Sequence, residues 1–350
     1  MRRLTKIAAT TAVLALAVTG CGKNEEPNTG NANASGELCG DGDGPKIGLA
    51  YDIGGRDDKS FNDLGAAGVK KASDELDASC TESEAGAQEP DSAKEERLRT
   101  LADAGHDPIV AVGFVYSEEV QKVAAEYPDI KFAVVDGFAE GPNVTNLVFA
   151  PEQGSFLVGV AAGLKTETDQ VGFVGGVQGP ITDPFAAGYK AGVAAVNPDA
   201  TVEMKWLSDE ANEKAFANPP GGNTAATALY DGGADIVFHA SGLSGNGVFE
   251  AADAAEKWAI GVDSDQYLSA PKEQQDNILT SALKRVDVAV FDYVKAFTED
   301  AVKPGFDLYD MVRDGVGYAT SGGYVDDIED QLEEYKQKII DGEIKVPNEL

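Results

Sequence analysis

A carboxylate and an ammonium stand where two expected strands end: Asp263 in Gly261-Val262-Asp263-Ser264-Asp265-Gln266, and Lys284 in Ser281-Ala282-Leu283-Lys284-Arg285-Val286-Asp287. Facing one crevice, such a pair can bind a diol and a neutral polar head, the carboxylate accepting charge-assisted hydrogen bonds from vicinal hydroxyls. On a surface it is an ion pair of little consequence. Another strand end carries Tyr51-Asp52-Ile53-Gly54-Gly55-Arg56-Asp57-Asp58-Lys59-Ser60-Phe61-Asn62-Asp63. Ser60 is placed to cap the helix that follows, with Asp63 as its capping-box partner. That leaves an aromatic and an amide, Phe61 and Asn62, in the first helical turn. Helical side chains lean toward the N-terminus, so both overhang the strand end. Phe61 also opens the apolar stripe of the helix, so core packing and ligand contact are both open to it. After another strand, His239-Ala240-Ser241-Gly242-Leu243-Ser244-Gly245-Asn246-Gly247 makes a glycine-rich turn that presents backbone N–H groups. Its order, Gly-x-x-Gly-x-Gly, fails the dinucleotide fingerprint. His239 reads as a packed strand residue.

The elements that must position these groups alternate. Short β-branched runs at 46–51, 108–112, 131–135, 170–174, 234–238, 258–262 and 277–281 are separated, in most cases, by helical patterns. The first helix spans about 60–76 on an apolar stripe of Phe61, Leu64, Gly68, Ala72 and Leu76. Repeated β-α alternation predicts parallel sheets covered on both faces, the doubly wound α/β class. The number of strands suits two similar lobes better than one sheet. In such sheets ligands sit at the carboxyl ends of the strands, which is where the residues above lie.

Composition narrows the function. The chain of 350 residues is 43% apolar and 25% charged, which excludes a wholly disordered or fibrous protein. Against 60 Asp and Glu there are 28 Lys and Arg, a formal charge of −32. Such a body has nothing with which to hold a phosphate backbone, so no nucleic-acid partner is expected. Three cysteines and two histidines are too few for a zinc or iron–sulfur framework, and neither metal nor cofactor is expected.

The N-terminus reads as an export signal. Met1-Arg2-Arg3-Leu4-Thr5-Lys6 is basic, residues 7–18 form an apolar run too short to span a bilayer, and small residues follow. Val18-Thr19-Gly20-Cys21 resembles the lipobox of bacterial lipoproteins, in which the thiol is lipidated and becomes the new N-terminus. Residues 22–44, rich in Gly, Asn, Glu, Asp and Ser, hold too little apolar surface to fold and are expected to tether the body to the membrane. Lipidation of Cys21 leaves Cys39 and Cys80. An oxidising compartment allows them to form a disulfide; two free thiols are the other possibility.

Taken together, Tyr51-Asp52…Asp57-Asp58-Lys59-Ser60-Phe61-Asn62 resembles the opening signature of the basic membrane protein family of substrate-binding lipoproteins, which includes receptors of the purine nucleoside type. Glu152-Gln153-Gly154-Ser155-Phe156-Leu157-Val158-Gly159, Gly245-Asn246-Gly247-Val248-Phe249, the Asp263 and Lys284 segments and Asp341-Gly342-Glu343-Ile344-Lys345-Val346-Pro347 match it in order. The resemblance implies the type I periplasmic-binding-protein fold: two Rossmann-like, doubly wound lobes joined by a three-crossover hinge, with ligand in the cleft between them. The expected division is 1–20 signal peptide, 21–44 tether, 45–149 plus 277–302 first lobe, and 150–276 plus 303–350 second lobe.

By the same resemblance Phe61 stacks on one face of a nucleoside base and Phe216 covers the other. Asp263 takes the ribose hydroxyls, helped by Lys284 and the Gly242 backbone, while Asp52, Asn62 and Asp136 bond the base or line the cleft. One stretch departs from the family pattern. Asn218-Pro219-Pro220-Gly221-Gly222 stands where an aromatic and then Asp-Pro-Ala-Lys-Gly are usual, so Trp206 is an alternative to Phe216. Implied partners are a nucleoside, an ABC permease and ATPase, and the membrane through lipid on Cys21. The receptor is expected to be monomeric and extracytoplasmic, at a periplasmic face or a Gram-positive cell surface.

Two other functions fit parts of the chain. A receptor that signals to a membrane sensor has the same cleft. A nucleoside hydrolase holds Ca²⁺ on Asp-x-Asp-x-x-x-Asp-Asp after its first strand; here Ala50 occupies the first position and Asp52 lies one residue too far from the Asp57-Asp58 pair. A calcium ion needs six to eight oxygen ligands, so the missing carboxylate weighs against that reading. No Gly-x-Ser-x-Gly elbow, Walker loop or His-Glu-x-x-His is present, and no enzymatic activity is expected.

Overall fold

Strands rich in Val, Ile and Ala, buried on both faces, build two parallel sheets. The computed structural model describes residues 38–86, 89–208 and 212–350; Cys21, with the leader and most of the tether, lies outside them. Five strands open the first sheet: β1 (Lys46–Ala50), β2 (Ser79–Ser83), β3 (Ile109–Val112), β4 (Phe132–Val135) and β5 (Val144–Phe149). They alternate with α1 (Phe61–Leu76), α2 (Asp91–Asp103) and α3 (Ser117–Glu126). The chain then crosses over and repeats the pattern with α4 (Pro151–Lys165), β6 (Gln170–Val177), α5 (Asp183–Val196), β7 (Thr201–Ser208), α6 (Pro219–Asp231), β8 (Ile236–Ala240), α7 (Gly245–Ala255) and β9 (Trp258–Asp263). Two single-turn helices, α8 (Gln266–Ser269) and α9 (Lys272–Gln275), lead into β10 (Ile278–Lys284). It returns to the first lobe through α10 (Val286–Thr298) and β11 (Gly305–Tyr309), and ends in the second with β12 (Val316–Tyr318) and α11 (Glu329–Ile340).

The first sheet runs β11-β5-β4-β3-β1-β2, all parallel; the second runs β12-β10-β9-β8-β6-β7, with only β12 antiparallel. Both have the 2-1-3-4-5 winding, with the switch point beside the first strand of each lobe. The chain passes between lobes after β5, after β10 and after β11, the three crossovers expected.

The expected lobe boundaries need correction. Strand 278–284 pairs with β9 and β12 and belongs to the second lobe, while 305–309 pairs with β5 in the first. Strand partner choice is a long-range property that neither segment encodes alone. The tether is also shorter than expected. Leu38 and Cys39 are buried in the core cluster of the first lobe, and the Gly44 N–H donates to Asp77 O at 2.7 Å. Cys39 and Cys80 are joined as a disulfide, which ties this entry segment to β2. Among the described residues no helix is long and apolar enough to cross a membrane.

Candidate functional site

The strand ends of the two sheets face each other, so the groups at those ends meet. Asp52 follows β1, Asp136 follows β4, Gly242 follows β8, Asp263 ends β9 and Lys284 ends β10; all five line one cleft. Phe61, Asn62 and Phe216 line it too, so the eight residues expected at the ligand are brought together, while Trp206, the alternative to Phe216, is not among them. The cleft holds about 600 Å³ of empty space, open solvent at its mouth included.

Asp136 and Asp263 occupy corresponding positions in the two sheets, and both adopt left-handed backbone, φ 58° and 63°. Asp tolerates that region better than most residues. Between them lies Lys284, its Nζ 2.5 Å from Asp136 Oδ2 and 3.6 Å from Asp263 Oδ1. Burial by itself would lower the Lys284 pKa, but the two carboxylates outweigh it and hold the ammonium above its ordinary value. Burial raises the Asp263 pKa, opposed by Lys284. The same ammonium stands 4.6 Å from the centroid of the Phe61 ring, within cation–π range.

The entrance to α1 is built differently from the capping box expected there. Ser60 occupies the N-cap but makes no capping bond. Asp58, 3% exposed, accepts from the backbone N–H of Ser60 (2.9 Å), Asn62 (2.8 Å) and Asp63 (3.2 Å). Asp63 turns its carboxylate back to the N–H groups of Asp57 and Lys59. Two consecutive acids before the serine made either cap possible, and the more deeply buried one takes the amides. Burial pushes the Asp58 pKa up to about 6 against those three bonds. Asn62 donates through Nδ2 to Asp52 Oδ1 at 3.0 Å and to Asp58 Oδ2 at 3.1 Å, and its buried Oδ1 has no hydrogen-bond partner among the described residues. Burial raises the Asp52 pKa above its ordinary value, opposed by the bond from Asn62.

Phe61 comes from the first lobe and Phe216 from the second, on a 3₁₀ turn (Glu213–Ala217). A Cβ on Gly176 would come within 2.4 Å of the Phe216 ring, so β6 makes room for it with glycine. Phe114, on a 3₁₀ turn after β3, meets Phe216 edge-on with centroids 6.3 Å apart. Trp206 packs against Phe173, centroids 5.5 Å apart, over Gly175 and outside the cleft lining. The unusual Asn218-Pro219-Pro220-Gly221 stretch is a helix start: Asn218 Oδ1 accepts from the Gly221 N–H at 3.1 Å, and the prolines fill the first turn of α6. Phe114 and Phe185 line the cleft without having been singled out from the sequence; their only local signal is an aromatic just beyond a strand end or at a helix start.

Both histidines are structural. His239 is fully buried with Nε2 3.0 Å from Gln266 Oε1, and burial pushes its pKa down to about 4. His106 Nδ1 lies 2.9 Å from Leu101 O, away from the cleft. Among the described residues no three His, Cys, Asp or Glu side chains converge as a metal site.

The sequence profile of the PnrA-like ABC transporter substrate-binding proteins matches residues 45–349. A CD4+ T-cell-stimulating antigen of Listeria monocytogenes is 37% identical over 320 residues, covering 86% of this chain and 87% of that one. The ABC transporter nucleoside-binding protein BmpA of Lactococcus lactis subsp. cremoris is 32% identical over 260 residues, covering 70% and 72%. Among solved structures, an ABC transporter solute-binding protein from Aeropyrum pernix K1 superposes with TM-score 0.74 at 27% identity, over 87% of this chain and 94% of that one.

Proposed function

Because the chain belongs to the PnrA-like (Bmp) family of ABC transporter substrate-binding proteins, which bind solutes and are not enzymes, we propose that its cleft captures a purine nucleoside for delivery to an ABC permease and its ATPase. The observation that carries this reading is one cleft lined by an aromatic from each lobe, Phe61 and Phe216, together with Asp263 and Lys284. A base sandwiched between two rings gains roughly 1–3 kcal/mol from stacking. The Asp263 carboxylate suits the vicinal ribose hydroxyls, and Gly242, at φ 55° beside Phe216, brings backbone to the same ligand. Toward the base, Asn62 Oδ1 is an acceptor without a partner among the described residues, and Asp52 lines the cleft beside it. That the Lactococcus relative is named nucleoside-binding supports the same ligand class.

The receptor works from outside the cytoplasm, held by lipid on Cys21, and acts as a monomer with one site per chain. Fatty-acid labelling that disappears in Cys21→Ala checks the anchor, and light scattering the monomer.

Isothermal titration of protein unfolded and refolded to remove carried ligand tests the function. Inosine, guanosine or adenosine binds at micromolar Kd or tighter while ribose does not, corresponding to about −8 kcal/mol or better. A response to sugars alone would sink the stacking arrangement, and silence would sink the nucleoside. Asp263→Ala that changes Kd less than about threefold, well under the value of one charge-assisted hydrogen bond, would refute the ribose assignment.

A further inference from the structure

A serine at a helix N-cap ordinarily accepts a hydrogen bond from an amide of the first turn. Ser60 does not, because Asp58 already receives those amides. Its hydroxyl, fully buried, is directed across the cleft to the other lobe. It donates to Asp263 Oδ2 at 3.0 Å and reaches Val262 O at 3.2 Å, one proton shared between two acceptors. The neighbouring backbone belongs to the same seam: Ser264 Oγ donates to Lys59 O at 2.8 Å, with Ser269 Oγ at 3.4 Å from the same carbonyl. Lys59 holds φ at 61°, a left-handed conformation that a lysine keeps only where its surroundings determine it.

These bonds exist only while the lobes are together. A hydroxyl used within its own helix would be indifferent to closure; this one joins α1 of the first lobe to the end of β9 in the second. It also holds one oxygen of the Asp263 carboxylate while Lys284 faces the other. We propose that Ser60 is the positioning residue of the closed cleft, aiming Asp263 at the hydroxyls of the ligand and coupling ligand release to separation of the lobes. The aim at sugar hydroxyls rests on the nucleoside reading; the bond between lobes does not.

The test compares the full chain with Ser60→Ala and Ser60→Thr by stopped-flow release of inosine, titration and small-angle X-ray scattering. Ser60→Ala releases inosine about tenfold faster or more, the ratio set by one hydrogen bond to a charged acceptor, with the association rate little changed. Ser60→Thr, which keeps the hydroxyl, returns release to near the wild-type rate. In scattering, wild type as purified is compact, Ser60→Ala has the larger radius of gyration, and Ser60→Thr is compact again. Unchanged release with equal radii overturns the proposal. So does a Ser60→Ala protein whose ligand-free melting point falls in step with its affinity, since that marks a packing residue. A wild type that ignores inosine overturns the nucleoside reading alone, and the scattering comparison then judges the latch.

Discussion

The Lys284 ammonium sits 2.5 Å from the Asp136 carboxylate although the strands that carry the two residues belong to different sheets. Lys284 ends β10 in the second lobe and Asp136 follows β4 in the first. Buried at 4% exposure, the lysine is compensated by acids from both sides of the cleft, Asp136 across it and Asp263 beside it. Separation of the lobes therefore strips the ammonium of its nearest counter-charge and hydrates both groups.

Replacing Lys284 by Met leaves two acids facing each other in a closed cleft. Removing one partner of a buried ion pair costs about 3–5 kcal/mol. Ligand affinity in Lys284→Met should accordingly fall by roughly a hundredfold or more, with a smaller loss in ligand-free stability because the open cleft lets water reach Asp136. Titration and thermal unfolding measure the two separately. A Kd within threefold of wild type would show that the ammonium does not support closure.

Phe216 and Trp206 separate binding from packing. Phe216→Ala should weaken nucleoside binding by the roughly 1–3 kcal/mol of one stacked base and leave the ligand-free melting point nearly unchanged. Trp206→Ala removes a ring packed on Phe173, so it should lower the melting point and spare Kd. The reverse pattern would assign the second stacking ring to Trp206.

Asp58 predicts a pH effect with a definite sign. Its pKa is pushed up to about 6 in the fold by burial, from an ordinary value of 3.8. Between those values the folded state binds the proton that the unfolded state releases, so this group's contribution to stability is largest in acid and declines as pH rises to about 6. Over that window the decline amounts to about 3 kcal/mol. His239, depressed to about 4, acts in the opposite direction, losing stability as pH falls from 6.5. Urea unfolding of wild type against Asp58→Asn isolates the first effect: the wild type's advantage should shrink from pH 4 to pH 7. A difference that stays flat over this range would refute the buried-acid assignment.

The Cys39–Cys80 bond closes a loop with a sequence separation of 41 residues. Loops of this length stabilise by roughly 3–4 kcal/mol in the chain-entropy account. Reduction, or Cys39→Ser, should lower the melting point by several degrees without changing nucleoside affinity, since neither cysteine lines the cleft. Two thiols that titrate freely in the native, non-reduced protein would contradict the bond.

Much of this architecture is local and therefore legible in the chain. Alternating periods of 2 and 3.6 located most of the strands and the first helix to within a few residues; the strand-end rule singled out Asp263 and Lys284, and the family resemblance added Asp52, Asp136 and Gly242. Turn chemistry and burial periodicity act between residues close in sequence, so short stretches of the chain display them. Val144–Phe149, which follows β4 without an intervening helix, and Thr201–Ser208, with polar residues interspersed, escaped that reading.

What the tertiary structure decided involves partners far apart in the chain. Assignment of β10 to the second sheet and β11 to the first depends on which edge each strand finds, not on its own residues. Asp58 displaces Ser60 as the cap because burial sets which acid receives the amides, and the freed serine hydroxyl then bonds 203 residues away. Phe114 joins Phe216 only because the lobes close on each other. Local sequence specifies which groups stand at strand ends; the packing of one lobe on the other specifies which of them meet, because cleft geometry is a sum of long-range contacts that no short window contains.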